Sequence, residues 1–272
     1  MQAYIFDDTA YKDTLLESRI PLNAVSVYEV VKVIEGMPLF MEEHLLRLKR
    51  SSDLTGNTLY VDDAYIFNQV YKLIEINKIR RGRIKFVIVF YTDGQHFYAL
   101  QAEDIEPSPE LYQNGIKIQS LMLERQNPEA KIIHPDYNKV VTEILKNKDI
   151  FEVLLVKSDG KVTECSRANI FFIKGNDLYT PFSKDVLSGI TRSCVFNIAE
   201  SQRLKLTETD IRIEDLSEFE SAFITGTSPG VLPVSQIDNV FFSIKNQTLQ
   251  TVSDSYFARV NTYIKTKQTK LK

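Results

Sequence analysis

Cysteine and histidine are scarce in this chain of 272 residues. The two cysteines, Cys165 and Cys194, are too few for a disulfide framework or a cysteine-rich zinc site. The three histidines, His44, His96 and His134, lie far apart, and none belongs to an HExxH pattern. Because the side chains that usually bind a transition metal are not clustered in the sequence, we expect no metal site.

An excess of one charge and a long apolar run are also missing. The formal net charge is −3, and basic residues cluster only in the short stretch YIKTKQTKLK, so neither nucleic acid nor a membrane is expected as a partner. No apolar stretch approaches the roughly 20 residues that span a bilayer. The stretch MQAYIFDDTAYKD carries acids where a signal peptide carries bases. We therefore expect a folded cytoplasmic protein, and 43% hydrophobic residues are enough for packed cores.

The first half of the chain mixes strand and helix patterns. SVYEVVKVIEGMPLF predicts two strands joined by a turn at Glu35 and Gly36, and MEEHLLRLKRSSDLTG predicts the helix that follows. A second helix is predicted after Asp62, and RIKFVIVFYTDGQHFYAL predicts a hairpin that turns at Asp93 and Gly94. This half is therefore predicted to be α+β.

The stretch EDIEPSPELYQNG has two prolines among polar residues and no periodicity, so it predicts a linker. It separates two predicted domains, residues 1–108 and 109–272. In the second domain, strands are predicted at IKIQSLML, FEVLLVKSDGKVTE, NIFFIKGNDLYTP and SAFITG, and helices at KVVTEILKN and TRSCVFNIAESQR. Strands outnumber helices, which favours a barrel-like sheet over a doubly wound one.

The stretch VLSGITR places a glycine, a β-branched residue and a hydroxyl directly before a predicted helix. The first amides of a helix have no partner within the helix, so Gly189, Ile190 and Thr191 can surround an anion. The alternative is an ordinary helix start with Ser188 as the N-cap. These seven residues alone leave both interpretations open.

Three stretches in one order extend this motif. GKVTECSRANIFFIKGNDLYTP runs into VLSGITR, and FESAFITGTSPGVLPVSQID follows. In order and spacing they resemble the fold-type IV pyridoxal-phosphate (PLP) enzymes, which include branched-chain aminotransferases, D-amino-acid aminotransferases and 4-amino-4-deoxychorismate lyases. SVYEVVKVIEGMPLFMEEHLLRLKRSS resembles the first hairpin and helix of that family, so the likeness covers roughly residues 25–240. ESRIPLNA replaces the family's usual Asp-Arg-Gly turn.

The resemblance implies an α+β fold of two domains. The N-terminal domain would be a small α/β sandwich, and the C-terminal domain a pseudo-barrel of mixed strands with flanking helices. It also implies PLP as the cofactor and a homodimer. The substrate would be an amino acid or a 2-oxo acid.

The resemblance further implies a cup for the cofactor's phosphate. Ile190 and Thr191 would donate their amides from the helix start at Gly189, and Thr227 and Ser228 would add hydroxyls from the turn TGTSPG. Clustered N–H donors and a fixed guanidinium suit a dianionic phosphate.

Two charged residues complete the implied site. Arg47 occupies the place of the family's phosphate-binding arginine, although a solvated helix arginine is the alternative. Glu164 matches the carboxylate that faces the pyridine nitrogen. A nearby anion raises the pKa of that nitrogen, so the protonated ring can accept electrons from a breaking Cα–H bond.

The family's catalytic lysine is missing from its usual position. If Asn138 is the family's asparagine, the lysine position falls on Pro135 or His134, and neither side chain can bond covalently to PLP. Lys139 follows the asparagine and is the displaced candidate, unless it is an exposed residue of the first helical turn. Lys131 lies upstream and could reach the cofactor only if the strand were shifted by several residues. His134 is either a proton-transfer group or an ordinary histidine.

Three functions follow from this pattern. The first is a PLP-dependent aminotransferase, or a related aminodeoxychorismate lyase, that uses a displaced lysine. The second is a lysine-deficient PLP-binding homologue that acts as a carrier or regulator without transaminase activity. The third is a scaffold protein with an empty cup.

Overall fold

The computed structural model describes residues 2–20, 24–92, 94–103, 106–146 and 149–270. The chain forms two compact units. The first contains residues 1–105, 130–133 and 262–272, and the second contains residues 106–129 and 134–261. Two short segments of the predicted second domain, residues 130–133 and 262–272, thus belong to the first unit.

The first unit is built on a six-stranded sheet with two longer helices. Its strands are β1 (Tyr4–Phe6), β2 (Thr9–Tyr11), β3 (Val25–Ile34), β4 (Met37–Pro38), β5 (Arg81–Tyr91) and β6 (Gly94–Ala102). Its helices are α1 (Leu16–Arg19), α2 (Met41–Leu54) and α3 (Asp63–Asn77). The strand order is β2-β1-β6-β5-β3-β4, and every neighbouring pair is antiparallel.

Local sequence signals explain these elements. Alternate residues of β3 are buried, and the turn at Glu35 and Gly36 uses a left-handed glycine with φ of +77°. The carboxylate of Asp62 accepts a hydrogen bond of 2.7 Å from the Tyr65 amide and caps α3. The predicted first hairpin and both helices are confirmed, whereas Asp93 of the second predicted turn lies outside the described residues.

The two faces of this sheet bury different side chains. One face packs against α2 and α3, and its core includes Val27, Val31, Leu45, Leu48, Ile66, Val70, Leu73, Ile84 and Phe86. The other face carries a smaller cluster of Val87, Val89 and Tyr98, against which Tyr28 and Ile133 pack. The segment 130–133 joins the sheet beside β3, because the Tyr28 amide donates to the Lys131 carbonyl at 3.0 Å.

The second unit is built on a mixed ten-stranded sheet. Its strands are β7 (Ile116–Met122), β8 (Glu152–Val156), β9 (Lys161–Cys165), β10 (Asn169–Lys174), β11 (Asp177–Thr180), β12 (Leu206–Glu208), β13 (Ile211–Arg212), β14 (Ser221–Gly226), β15 (Gly230–Ile237) and β16 (Val240–Phe241). The order is β12-β11-β10-β14-β15-β7-β8-β9-β13, with β16 paired to β15. Its helices are α4 (Pro109–Asn114), α5 (Pro135–Ile144) and α6 (Ile190–Ser201), and α7 (Gln247–Lys270) begins in this unit.

The predicted α+β class with two domains is confirmed. The predicted linker contains α4, in which Pro109 occupies the first turn where a missing N–H costs nothing. Residues 263–270 of the lysine-rich stretch belong to the 24-residue helix α7, which buries Leu249, Val252 and Tyr256. Within the described residues, no helix is both long and apolar enough to cross a membrane.

Candidate cofactor site

The start of α6 has no side-chain cap. Its N-cap is Gly189, with φ of −67°, so the alternative of Ser188 as the N-cap is wrong. A Cβ at Gly189 would lie 2.0 Å from Oδ1 of Asn169, which explains the glycine. The amides of Ile190 and Thr191 therefore begin the helix without a side-chain acceptor at the N-cap, and they suit an anion.

Glu164, the last residue but one of β9, is a buried carboxylate beside this helix start. Its Oε2 accepts hydrogen bonds from the Leu187 amide at 3.0 Å and from Nδ2 of Asn169 at 3.2 Å. Asn169 also donates to the Leu187 carbonyl at 2.9 Å. Because Leu187 precedes Gly189 by two residues, these bonds hold the carboxylate and the helix start in one arrangement.

Arg125 is a member of this cluster that the sequence reasoning missed. Its Nη1 lies 3.1 Å from Oε1 of Glu164, and the two side chains are 13% and 3% exposed. A buried carboxylate needs a counter-charge, so the burial of Glu164 would have pointed to a nearby cation. No motif identifies Arg125 as that cation.

The turn that carries Thr227 and Ser228 joins β14 to β15 in the same unit. Tyr256 of α7 lies close to both halves of the expected cup. It interacts with the Thr191 hydroxyl, and a Cβ on Gly230 would lie 2.6 Å from its ring. Burial raises the pKa of Tyr256, so the phenol stays protonated.

Several buried polar atoms in this unit have unused hydrogen-bonding capacity. Within the ranges that the structure describes, Thr225 Oγ1, His134 Nε2 and Arg125 Nε have no hydrogen-bond partner. Thr225 lies opposite Asn169 in the β10–β14 ladder, beside the Glu164 cluster. Unsatisfied buried donors and acceptors are costly, so their presence is consistent with a polar ligand. The helix start and the carboxylate fit the phosphate and the ring nitrogen of PLP.

The family's lysine position is filled by the start of α5. His134 is the N-cap and Pro135 the first helical residue, so no amine is present there. Lys139 lies on an exposed part of α5. Burial, and then the charge of Arg125, lower the pKa of His134, so its imidazole is neutral at pH 7.

In the first unit, Arg47 forms a buried pair with Glu29 of β3. Nε of Arg47 donates to Oε1 at 2.7 Å and Nη2 donates to Oε2 at 2.6 Å. His44 Nδ1 lies 2.7 Å from the same carboxylate. Arg47 is 8% exposed and Glu29 is fully buried, so Arg47 is not the solvated arginine of the alternative interpretation.

Burial and charge together determine the protonation of Glu29 and His44. Burial would raise the pKa of Glu29, but Arg47 and His44 outweigh it and lower the pKa to about 2. Burial lowers the pKa of His44, with further contributions from Arg47 and Lys131, against the attraction of Glu29. A neutral His44 therefore donates its Nδ1–H to an ionised Glu29. The sequence analysis did not identify Glu29 or His44 as members of a site.

The structure groups the predicted residues in two sets. In the second unit, Asn169 lies next to both Glu164 and Gly189. Tyr256 lies next to Thr191 and next to Gly230, which begins the strand after the turn with Thr227 and Ser228. Arg47 belongs to the first unit, where it contacts Glu29.

Comparisons with known proteins relate the chain to one family. Residues 26–237 match the family described as amino-transferase class IV. D-alanine aminotransferase of Bacillus licheniformis is 29% identical over 231 residues, with 78% of each chain covered. Aminodeoxychorismate lyase of Bacillus subtilis (strain 168) is 26% identical over 235 residues, with 80% of each chain covered.

Solved structures show the same fold. A branched-chain aminotransferase from the thermophilic archaeon Thermoproteus uzoniensis, crystallised with norvaline, superposes with a TM-score of 0.82 at 19% identity, covering 95% of this chain and 94% of that one. The PLP-bound form of a hypothetical aminotransferase from Mycobacterium tuberculosis gives a TM-score of 0.78 at 16% identity, covering 95% and 98%. At these identities the likeness concerns the fold alone.

Proposed function

Because the chain belongs to the class IV aminotransferase family, we propose that it is a PLP-dependent aminotransferase acting on an amino acid and a 2-oxo acid. The observation that supports this most is the link between the α6 start and the buried Glu164, which runs through Asn169 and Leu187. It provides, in one unit, an anion-binding helix start and a carboxylate for a ring nitrogen. The related aminodeoxychorismate lyase reaction is the second candidate, since one relative has that name.

Each predicted site residue of the second unit has a physical role in this proposal. The amides of Ile190 and Thr191, with the hydroxyls of Thr227 and Ser228, would hold the phosphate, and Gly189 lets the backbone approach it. Bound PLP supplies a ring that accepts electrons from the substrate's Cα. Glu164 would hold a proton on the ring nitrogen.

Two neighbours prepare the site for proton chemistry. Arg125 lies against Oε1 of Glu164 and so balances its charge and positions it for the ring nitrogen. The neutral imidazole of His134 has an unpartnered Nε2 among the described residues, and so it can accept a proton.

The remaining parts of the proposal rest on the sequence and the family. Lys139 or Lys131 would supply the amine that bonds to PLP, and Arg47 would contribute a positive charge to the phosphate site. A homodimer and a cytoplasmic location follow from the family resemblance and the composition. A PLP carrier without transaminase activity is the outcome if no lysine bonds to PLP.

Cofactor binding tests the proposal directly. We expect the protein to bind PLP in equilibrium dialysis, and Thr191→Val to weaken binding by roughly 1–3 kcal/mol because a phosphate hydroxyl contact is lost. Thr207→Val on the edge strand β12 is the matched control and should leave the affinity unchanged. Absence of PLP binding, or equal affinity in the Thr191 and Thr207 variants, would contradict the phosphate site.

A further inference from the structure

Arg192 completes the VLSGITR motif but has no place in the phosphate cup. It lies in the first turn of α6, directly after Thr191, and it is 5% exposed. A buried arginine in the first helical turn is electrostatically unfavourable, because the N-terminus of a helix already carries a partial positive charge. The side chain therefore has to gain contacts that outweigh this cost.

The guanidinium of Arg192 binds the segment that leads into α6. Its Nη1 donates to Oγ of Ser183 at 2.9 Å, and its Nη2 donates to the Pro181 carbonyl at 2.9 Å. Nη2 also donates to Oε1 of Glu208 on β12 at 2.9 Å. Helical side chains point towards the N-terminus of their helix, so an arginine in the first turn can reach the residues that precede it.

Glu208 contacts the same segment as Arg192. Its Oε1 accepts hydrogen bonds from the Ser183 amide at 2.7 Å and from the Ser183 hydroxyl at 2.5 Å. Burial would raise the pKa of Glu208, but the bonds from Ser183 and Arg192 and the charge of Arg192 outweigh it and lower this pKa. The carboxylate is therefore ionised at neutral pH and balances the charge of the guanidinium.

The other end of this segment carries two parts of the proposed cofactor site. The Leu187 amide donates to Glu164, and the Gly189 amide donates to the Leu187 carbonyl at 2.7 Å. A Cβ at Gly189 would lie 3.3 Å from Cβ of Arg192, so the segment packs directly against the first turn of α6. Residues 181–189 thus connect the buried carboxylate to the start of α6, and Arg192 anchors them at the opposite end.

We propose that Arg192 is a positioning residue for the phosphate of PLP. By holding the segment 181–189 against α6, it fixes the amides of Ile190 and Thr191 relative to Glu164, so that the phosphate and the ring nitrogen of one ligand fit both at once. Its Nη1 and Nη2 are bonded to acceptors of this chain, so Arg192 acts through the backbone and is not a ligand of the phosphate. This inference rests on the proposed function.

PLP affinity gives the first measurement. Equilibrium dialysis of the full-length protein should show binding weakened by about tenfold in Arg192→Met, since hydrogen bonds from misplaced amides to a charged phosphate are lost. Arg192→Lys should recover only part of this loss, because an ammonium group can pair with Glu208 but lacks the planar fork that also reaches Ser183. Arg259→Met, at an exposed position of α7 in the same unit, is the matched control and should leave the affinity unchanged.

Glu208→Ala separates positioning from a direct effect of charge. Removing this carboxylate makes the surroundings of α6 more positive, so a guanidinium that attracted the phosphate directly would bind PLP more tightly in the variant. Loss of the contacts with Ser183 loosens the segment 181–189, so positioning requires weaker binding. Tighter or unchanged binding in Glu208→Ala overturns the inference.

Amide hydrogen exchange of the cofactor-free protein gives a readout that general destabilisation would not produce. In Arg192→Met and in Glu208→Ala, exchange should become faster in residues 182–195, while β14 in the core of the same unit keeps its wild-type rate. Faster exchange in β14 as well makes Arg192 a general stabilising residue and overturns the inference. Arg192→Lys and Glu208→Ala keep part of the network, so they carry the test if Arg192→Met does not fold.

The outcomes separate this inference from the proposed function. If the wild-type protein binds PLP and both Arg192 variants bind it equally well, the positioning role is wrong and the proposed function remains. If the affinity falls and exchange becomes faster only in residues 182–195, the positioning role is supported. If the wild-type protein binds no PLP, the proposed function fails and the inference fails with it.

Discussion

Replacing Arg47 by methionine should destabilise the first unit strongly, because it leaves the Glu29 carboxylate buried without a counter-ion. Glu29 is fully buried and receives two hydrogen bonds from Arg47, at 2.7 and 2.6 Å. Its pKa of about 2, against the usual 4.5, corresponds to roughly 3 kcal/mol at 1.36 kcal/mol per pH unit. Breaking one side of a buried pair costs about 3–5 kcal/mol, which agrees with this value.

The measurement is urea unfolding followed by far-ultraviolet circular dichroism, which suits a chain without tryptophan. Arg47→Met should lower the free energy of unfolding by about 3–5 kcal/mol. The double variant Glu29→Gln with Arg47→Met should recover much of that loss, because glutamine is neutral and still accepts the hydrogen bond from His44. Lys49→Met, at an exposed position of the same helix, should change stability by less than about 0.5 kcal/mol.

Two results would refute this reasoning. If Arg47→Met is as stable as Lys49→Met, the pair of Arg47 and Glu29 contributes no stability. If the double variant is no more stable than Arg47→Met, the loss does not come from the uncompensated charge of Glu29. The stability measurement must also precede any test of Arg47 in phosphate binding, since a destabilised unit would weaken PLP binding for an indirect reason.

Two further predictions concern pH and the ring nitrogen. The pKa of Glu29 is lowered on folding, so the contribution of its charge to stability is complete above pH 4.5 and is lost as the pH falls towards about 2. The pKa of His44 is also lowered on folding, so stability decreases below about pH 6.5, where His44 of the unfolded chain takes up a proton. As the pH is lowered, the urea concentration at the unfolding midpoint should begin to decrease at about pH 6.5 and should decrease most steeply below pH 4.5. A midpoint that stays constant down to pH 3 would contradict the pKa directions given for Glu29 and His44. Glu164→Gln should reduce turnover far more than PLP affinity, because the ring nitrogen is less protonated, and equal turnover would exclude the ring as the electron sink.

The sequence alone determined the local elements and the family. The alternation of apolar residues predicted β3, and Asp62 predicted the start of α3. Both features depend only on residues a few positions apart in the sequence. The Gly-Ile-Thr motif similarly marked the start of α6 and its open amides. The sequence also showed that the family's lysine position, at Pro135 or His134, holds no lysine.

The tertiary structure decided the partners of the charged groups. Glu29 and Arg47 are 18 residues apart, and the sequence contains no signal that a strand residue would face that helix residue. The contacts between Arg125 and Glu164, and between Arg192 and Glu208, likewise join separate elements. Burial lowers the pKa of His44, and burial depends on which strands and helices pack together, a property that local sequence does not encode.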